Sequence, residues 1–372
     1  MKQLCNDCIT ELKPYSLISQ KIWSLREDDL NDVIKLDWNE GTISPSPNVN
    51  KRLEEFIKSG KFNWYPDVNR RELLKLLSDY TKLPTENIQY FSSSDTLHEY
   101  IVKVFLEKGK TALILGPTYD NFRLTCESQG SNVEFFLYDD NLKLDVKLFS
   151  NKISETKPNL VYICNPNNPT GYLFDLEYIE SLITNNQDVV FLIDEAYFEF
   201  DGISCQQLIS KYNNVLISRT FSKAFSLANF RIGYLLSSSL NIELVNKVRN
   251  PKNISSFSQE AAIAVLEDID YMFDYVNQVK SAKNYFSIQL SKILENIADV
   301  HSNGGNFVLL NFKSENIKND FVNYLELNYI FTRSLSFSYD TKHLVRITIG
   351  TMSQMEKVVD IIKKEYGENC FF

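Results

Sequence analysis

Six short apolar runs follow one another through the middle of the chain: TALILG (111–116), VEFFLY (133–138), LVYIC (160–164), VVFLID (189–194), NVLIS (214–218) and IGYLL (232–236). Runs that are apolar on both faces are expected of interior parallel strands, because a strand with one wet face would alternate. Between them, apolar residues return at helical spacing: Leu73, Leu74, Leu77 and Tyr80, then Leu97, Ile101, Val104 and Phe105, then Leu176, Ile179 and Ile183. Strand and helix in alternation restrict this region to an open α/β fold, a mostly parallel sheet flanked by helices. The texture changes near residue 257. Residues 257–298 lack glycine and keep a helical period, and are followed by FVLLNF (307–312), LVRITIG (344–350) and a last helix near 352–365. The expected organisation is an N-terminal arm over 1–45, marked by Pro14, Pro45 and Pro47, a large domain over 46–256 and a small α+β domain over 257–372.

Composition narrows the function. A chain of 372 residues with net charge −9 and no long run of like charge has no electrostatic footprint for nucleic acid. No stretch of about 18 apolar residues occurs, so no membrane span is expected. The N-terminus lacks an apolar signal region, and the reading is cytoplasmic. Six cysteines are scattered without framework spacing, as reduced thiols would be. Cys5 and Cys8 have no second pair and no nearby histidine, so no metal is expected.

In open α/β sheets ligands bind beyond the carboxyl ends of the strands. Three runs end in chemistry-bearing residues: LVYIC in Asn165-Pro166-Asn167-Asn168, VVFLI in Asp194-Glu195-Ala196-Tyr197, and NVLIS, past Arg219, in Thr220-Phe221-Ser222-Lys223. An aspartate at a strand end can hold a ring nitrogen protonated, the electron-sink arrangement of pyridoxal 5'-phosphate. Asp194 is the candidate, and Lys223 is the amine for a Schiff base with the cofactor aldehyde. Tyr197 and Asn168 can hydrogen-bond the phenolic oxygen of the ring. Thr220, Ser222 and Arg231 suit its phosphate, as does the start of a helix at Ser93-Ser94-Asp95. Tyr119 can stack on the ring. Singly, most of these are turn or half-buried residues, and His98, His301 and His343 receive no role. Lys223, with hydroxyls before it and Arg231 beyond, carries the functional reading.

With those residues in view, the chain resembles the fold-type I pyridoxal-phosphate-dependent aminotransferases of classes I and II, and within them the histidinol-phosphate aminotransferases. The resemblance rests on LKPYS (12–16), LDWNE (36–40), WYPD (64–67), GPTY (116–119), NPNNPTG (165–171), DEAYFEF (194–200), RTFSKAFSLANFRIG (219–233) and VRITIG (345–350), in the family's order. It implies a homodimer with shared active sites, in which Tyr65 reaches the cofactor phosphate of the neighbouring subunit. It further implies that Arg346 pairs with a substrate carboxylate, that Asn39 belongs to the substrate wall, and that Tyr15 and Arg333 face a substrate phosphate. The chain departs from the family at two places. Ser93 stands where glycine is usual, and LDWNEGTISPSP replaces LDxNENPxGPSP, which alters the wall of the substrate pocket. The implied activity is exchange of an amino group between an amino acid, glutamate foremost, and a small phosphorylated keto compound. The alternative on the same scaffold is decarboxylation of a phosphorylated amino acid.

Overall fold

A computed structural model of the chain describes residues 4–14, 21–139, 141–335 and 343–367. The strands formed among these residues are β1 Ile34–Lys35, β2 Ile88–Phe91, β3 Thr111–Gly116, β4 Asn132–Leu137, β5 Leu160–Cys164, β6 Val190–Asp194, β7 Val215–Thr220 and β8 Gly233–Ser237. Then come β9 Ala298–His301, β10 Phe307–Phe312, β11 Ile330–Phe331, β12 Arg333–Ser334 and β13 Leu344–Thr348. The central sheet has the order β2-β8-β7-β6-β5-β3-β4. Strands β3 to β7 are parallel, and β8 is antiparallel to both its neighbours.

Strands β5, β6 and β7 are apolar on both faces because both faces are covered, with Val161, Ile163, Phe191, Ile193, Leu216 and Ile217 all fully buried. Each such side chain contributes about 1.5–3 kcal/mol. The helix Ser94–Phe105 packs against β2, β7 and β8 and so ties the two ends of the sequence block together.

Two expectations for the runs need correction. IGYLL is interior but antiparallel: residues 221–232, which link it to β7, hold a single 3-10 turn at Ala228–Phe230 and no crossover α-helix, and the chain returns beside β7 in the opposite sense. VEFFLY is the edge strand β4, with its central residues half-buried. Residues Ile88–Phe91, unread in the sequence, form the fully buried edge strand β2. The glycine-free stretch is two helices, Ser256–Glu267 and Ile269–Ile293, broken at Asp268. The Asp268 carboxylate accepts from the Ser46 hydroxyl.

A second sheet, ordered β12-β13-β10-β9, is antiparallel. The segment before the large sheet forms a separate two-stranded sheet with β11 and is bonded to β13 through Thr348. Strand β1 pairs in parallel with β11, Thr348 N–H donates to Leu36 O, and Asn39 N–H donates to Thr348 Oγ1. This strap delivers residues 36–40 to the carboxyl edge of the central sheet.

Two local features underlie that edge. Arg219 and Glu195, both fully buried, form an ion pair at 2.8 Å, with Arg219 also bonded to Ser204 and Gln206 and set 3.7 Å from the Phe198 ring centroid. Glu195 further accepts from the Cys205 N–H. After β2, Ser93 caps the helix Ser94–Phe105 through its hydroxyl, yet its φ is +102° with ψ 161°, a region suited to glycine.

Glu195→Ala strands the Arg219 cation in the interior, and denaturant unfolding of the cofactor-free protein is expected to show a loss of about 3–5 kcal/mol. At Ser93 two effects compete: relief of backbone strain, about 1–3 kcal/mol, against loss of a cap, a few tenths of a kcal/mol for glycine. Strain is the larger. Ser93→Gly should therefore raise unfolding stability by about 1 kcal/mol, and a loss of similar size would show that the hydroxyl matters more than the backbone.

Candidate active site

The in-register pairing of Cys164 with Asp194 and of Asp194 with Ser218 brings the ends of β5, β6 and β7 to one line. Beyond that line lies a cavity of about 960 Å³ whose walls include Ser94, Asp95, Tyr119, Asn168, Asp194, Tyr197, Thr220, Ser222, Lys223, Arg231, Arg333 and Arg346. Residues predicted from separate stretches of sequence thus meet in one chamber.

Lys223 faces the chamber rather than bulk water, and its Nζ donates to Trp38 O at 3.0 Å. Burial, with the Arg346 cation nearby, pulls its pKa down to about 8. Asp194 is buried at the end of β6. Its Oδ2 accepts from Tyr162 at 2.8 Å and its Oδ1 from the Ala196 N–H at 3.1 Å. The Tyr197 oxygen accepts from Asn39 Nδ2 at 3.1 Å and Asn168 Nδ2 at 3.2 Å, and burial raises its pKa. Two donors fill that oxygen, so the phenol's own proton is committed to neither amide and can serve an acceptor in the cavity.

At the other end, Arg231 bonds Asp95 at 2.8 Å and reaches Ser222 Oγ at 3.5 Å, while Tyr119 donates to Asp95 Oδ1 at 2.9 Å. The Thr220 hydroxyl accepts from the Ser222 N–H. Because Ser93 Oγ takes the Thr96 N–H, the Ser94 and Asp95 N–H groups head the helix toward the cavity. Gly233 permits this approach, since a Cβ there would meet Ser94 N at 2.8 Å and Arg219 O at 2.7 Å. The Asp95 carboxylate therefore positions Tyr119 and Arg231, while its backbone belongs to the anion cradle.

Arg346 and Arg333 face each other across β13 and β12. Arg346 donates to Asn168 Oδ1 and Asp37 O, both at 2.7 Å, and Arg333 lies 5.9 Å from the Trp38 ring centroid. Asn39 is buried at φ +54°, its side chain held by Tyr197 and Thr348. Tyr65 does not line this chamber. It stands 77% exposed, with Lys252 Nζ 4.3 Å from its ring centroid. Tyr15 lies outside the described residues.

Sequence reasoning missed Trp38, Tyr162 and His98. His98, fully buried, places Nε2 2.9 Å from Ser218 Oγ and 3.9 Å from Asp194 Oδ2. A signal existed for two of them: a hydroxyl inside the apolar run LVYIC, and an imidazole on the helix beside Leu97 and Ile101, both of them buried. Trp38 acts through its carbonyl, which no side-chain pattern reports.

Pyridoxal phosphate fits these residues: a depressed lysine amine for its aldehyde, a buried carboxylate for its ring nitrogen, a phenol for its ring oxygen, and a cradle of hydroxyls, N–H groups and a guanidinium for its phosphate. No group of three or more histidine, cysteine or acidic residues that could hold a metal occurs among the described residues. Nor is any helix among them long and apolar enough to cross a membrane.

Comparison with known proteins agrees with this geometry. Residues 31–362 match the family model described as aminotransferase class I and II. A dihydroxyacetone phosphate transaminase of Campylobacter jejuni is 43% identical, covering 97% of this chain and 98% of its own. A histidinol-phosphate aminotransferase of Ruminiclostridium cellulolyticum is 34% identical over 88% of this chain and 91% of its own. The crystal structure of the Sinorhizobium meliloti histidinol-phosphate aminotransferase in complex with pyridoxal 5'-phosphate, 22% identical, superposes with a TM-score of 0.81 over 95% of this chain and 99% of that one. The chain belongs to the class I and II aminotransferases and is a pyridoxal-phosphate-dependent transaminase of fold type I.

Proposed function

We propose that this transaminase moves an amino group from an amino acid, glutamate foremost, to a small phosphorylated ketone of the dihydroxyacetone phosphate kind. The observation that carries the reading is the cross-strand pair Arg333 and Arg346, which line the same cavity. Like charges directly opposite each other in a sheet are destabilising, so two guanidiniums facing one chamber call for anionic ligands. A donor carboxylate and an acceptor phosphate supply such charges, and the relative at 43% identity transaminates a phosphorylated ketone. The named relatives are transaminases, which favours amino transfer over the decarboxylase alternative.

The bound cofactor supplies an electron sink for the bond broken at the amino-bearing carbon. The chain supplies the rest. Lys223 holds the cofactor covalently through Nζ and, once released, takes and returns the proton at that carbon, for which a pKa of about 8 suits neutral pH. Arg346, oriented by Asn168 and the Asp37 carbonyl, binds the donor carboxylate. Arg333, 5.9 Å from the Trp38 ring centroid, binds the acceptor phosphate, and Tyr15, by the family resemblance, is assigned as a second phosphate contact. Asp194 anchors the ring nitrogen, and Thr220, Ser222, Arg231, Ser94 and Asp95 anchor the cofactor phosphate. Trp38 O and the strap 36–40 close the floor of the site.

The working unit is proposed as a homodimer in which Tyr65 completes the partner's phosphate site. The exposed apolar side chains of Ile57, Phe62, Trp64 and Phe257 near it support an interface there. The free thiols of all the described cysteines fit a cytoplasmic location.

Arg333→Ala is the direct test. Loss of a charged hydrogen bond of about 1.5–3 kcal/mol should lower kcat/KM for dihydroxyacetone phosphate by roughly 10–100-fold, while the half-reaction with glutamate, followed by bleaching of the visible band, changes by less than about threefold. Equal losses in both half-reactions, or equal use of an unphosphorylated ketone, would refute the phosphate assignment. Lys223→Ala should form no borohydride-stable adduct with the cofactor.

The pH dependence follows from the lysine. Below about 8 its amine is mostly ammonium and cannot attack; above it the free amine predominates. Capture of the cofactor by apoenzyme is therefore expected to accelerate with rising pH and to level off above about 9. A rate that keeps climbing past pH 10 would mean that Lys223 titrates as an ordinary lysine.

A further inference from the structure

His98 is a buried titratable group that the chemistry above leaves without a task. It projects from the helix Ser94–Phe105 into the layer beneath the strand ends, where its ring meets the Tyr162 and Phe122 rings edge-on, at 5.8 and 5.5 Å between centroids. The titratable groups facing it are Asp194 of β6 and Tyr162 of β5; Ser218 of β7 supplies its hydrogen-bond partner.

The tautomer follows from bonding. A neutral imidazole has one donor nitrogen and one acceptor nitrogen. Nδ1 is buried with no hydrogen-bond partner, whereas Nε2 lies 2.9 Å from Ser218 Oγ. An orphaned buried N–H is rarer and more costly than a bare acceptor. The proton therefore sits on Nε2 and is donated to Ser218 Oγ, with the positive end of the N–H dipole 3.9 Å from Asp194 Oδ2. The same oxygen receives the Tyr162 hydroxyl, and Oδ1 receives the Ala196 N–H. Two donors thus bond this carboxylate directly, and the imidazole N–H dipole adds a favourable electrostatic contact at 3.9 Å without a hydrogen bond.

We propose that His98, fixed by Ser218, is a positioning residue that works with Tyr162 to hold Asp194 charged and aimed into the cavity, and so sets how firmly the enzyme keeps its cofactor's ring nitrogen protonated. The inference rests on Asp194 as the carboxylate facing that nitrogen.

The test uses the purified holoenzyme and its apoenzyme with pyridoxal 5'-phosphate as the probe. His98→Leu keeps volume and removes the donor, whereas His98→Gln keeps a donor near the Nε2 position. With His98→Leu the cofactor dissociation constant should rise about tenfold, and the pH at which the bound cofactor's visible band changes should move upward by about one unit. The direction follows because a less charged ring nitrogen repels a proton on the Lys223 nitrogen less. His98→Gln should recover most of both effects. If leucine and glutamine behave alike, or if leucine leaves affinity and titration at their wild-type values, the positioning role is wrong. Should His98→Leu fail to fold, Ser218→Ala frees the imidazole from its anchor and should shift both readouts in the same direction, about threefold in affinity; no shift would equally overturn the role. Asp194→Asn separates the two levels: unchanged cofactor affinity there would undo the Asp194 assignment itself, whereas a large loss there beside a silent His98→Leu would undo only the part given to His98.

Discussion

Everything at the site depends on the register of three parallel strands. Because β5, β6 and β7 end level, with Cys164 beside Asp194 and Asp194 beside Ser218, the residues immediately beyond them emerge at one height on one edge. A slip of one residue in β6 would turn Asp194 to the opposite face of the sheet and away from its Tyr162 partner. The register is held by burial on both faces, since no wet face exists to which these side chains could turn. Stability of the core and placement of the chemistry are thus a single requirement.

The second requirement is a balance of charge around the chamber. Lys223, Arg231, Arg333 and Arg346 face Asp37, Glu40, Asp95 and Asp194 across it. Some of these charges are held by neutral neighbours, Arg346 by an amide and a carbonyl and Asp194 by a phenol and an N–H, whereas Arg231 and Asp95 hold each other. Lys223 differs in that its surroundings weaken its hold on its proton. Its bond to the Trp38 carbonyl is neutral, and Arg346 opposes its positive charge, so its proton is loosely kept. A loosely kept proton on a lysine is what covalent capture of an aldehyde needs. Below the chamber, the buried Glu195–Arg219 pair has no net charge.

Much of this could be read from residues alone, for identifiable reasons. The runs that became β3, β5, β6 and β7 were legible because burial on both faces leaves an unbroken apolar string, and Asp194 and Lys223 stood out as polar groups just past such strings. Strand β2 escaped because IQYF is too short and too mixed to register, although all four residues are buried. The direction of β8 escaped because strand sense depends on whether the connection carries a crossover helix rather than on the composition of the strand. The break at Asp268 and the strap made by residues 34–39 are set by partners distant in sequence, Ser46 for the one and β11 with Thr348 for the other. Ser93, which departs from the family pattern, keeps the glycine-like backbone all the same: the fold imposes φ +102° there and the hydroxyl serves as a cap.

The strap has a functional consequence that no motif conveys. Trp38 and Asn39 reach the site on a segment that pairs with β11 in a two-stranded sheet of its own and is bonded to the antiparallel sheet through Thr348 of β13, whereas Lys223, Tyr197 and Asn168 follow strands of the parallel one. Three bonds cross between the two sheets' segments at the site: Lys223 to Trp38 O, Asn39 to Tyr197, and Arg346 to Asn168. In the proposed reading, each joins a residue on the cofactor side to one on the substrate side. Displacement of either segment would therefore disturb Lys223, Tyr197 and Arg346 together, so that the proposed carboxylate site and the readiness of the amine are coupled through the same few polar contacts.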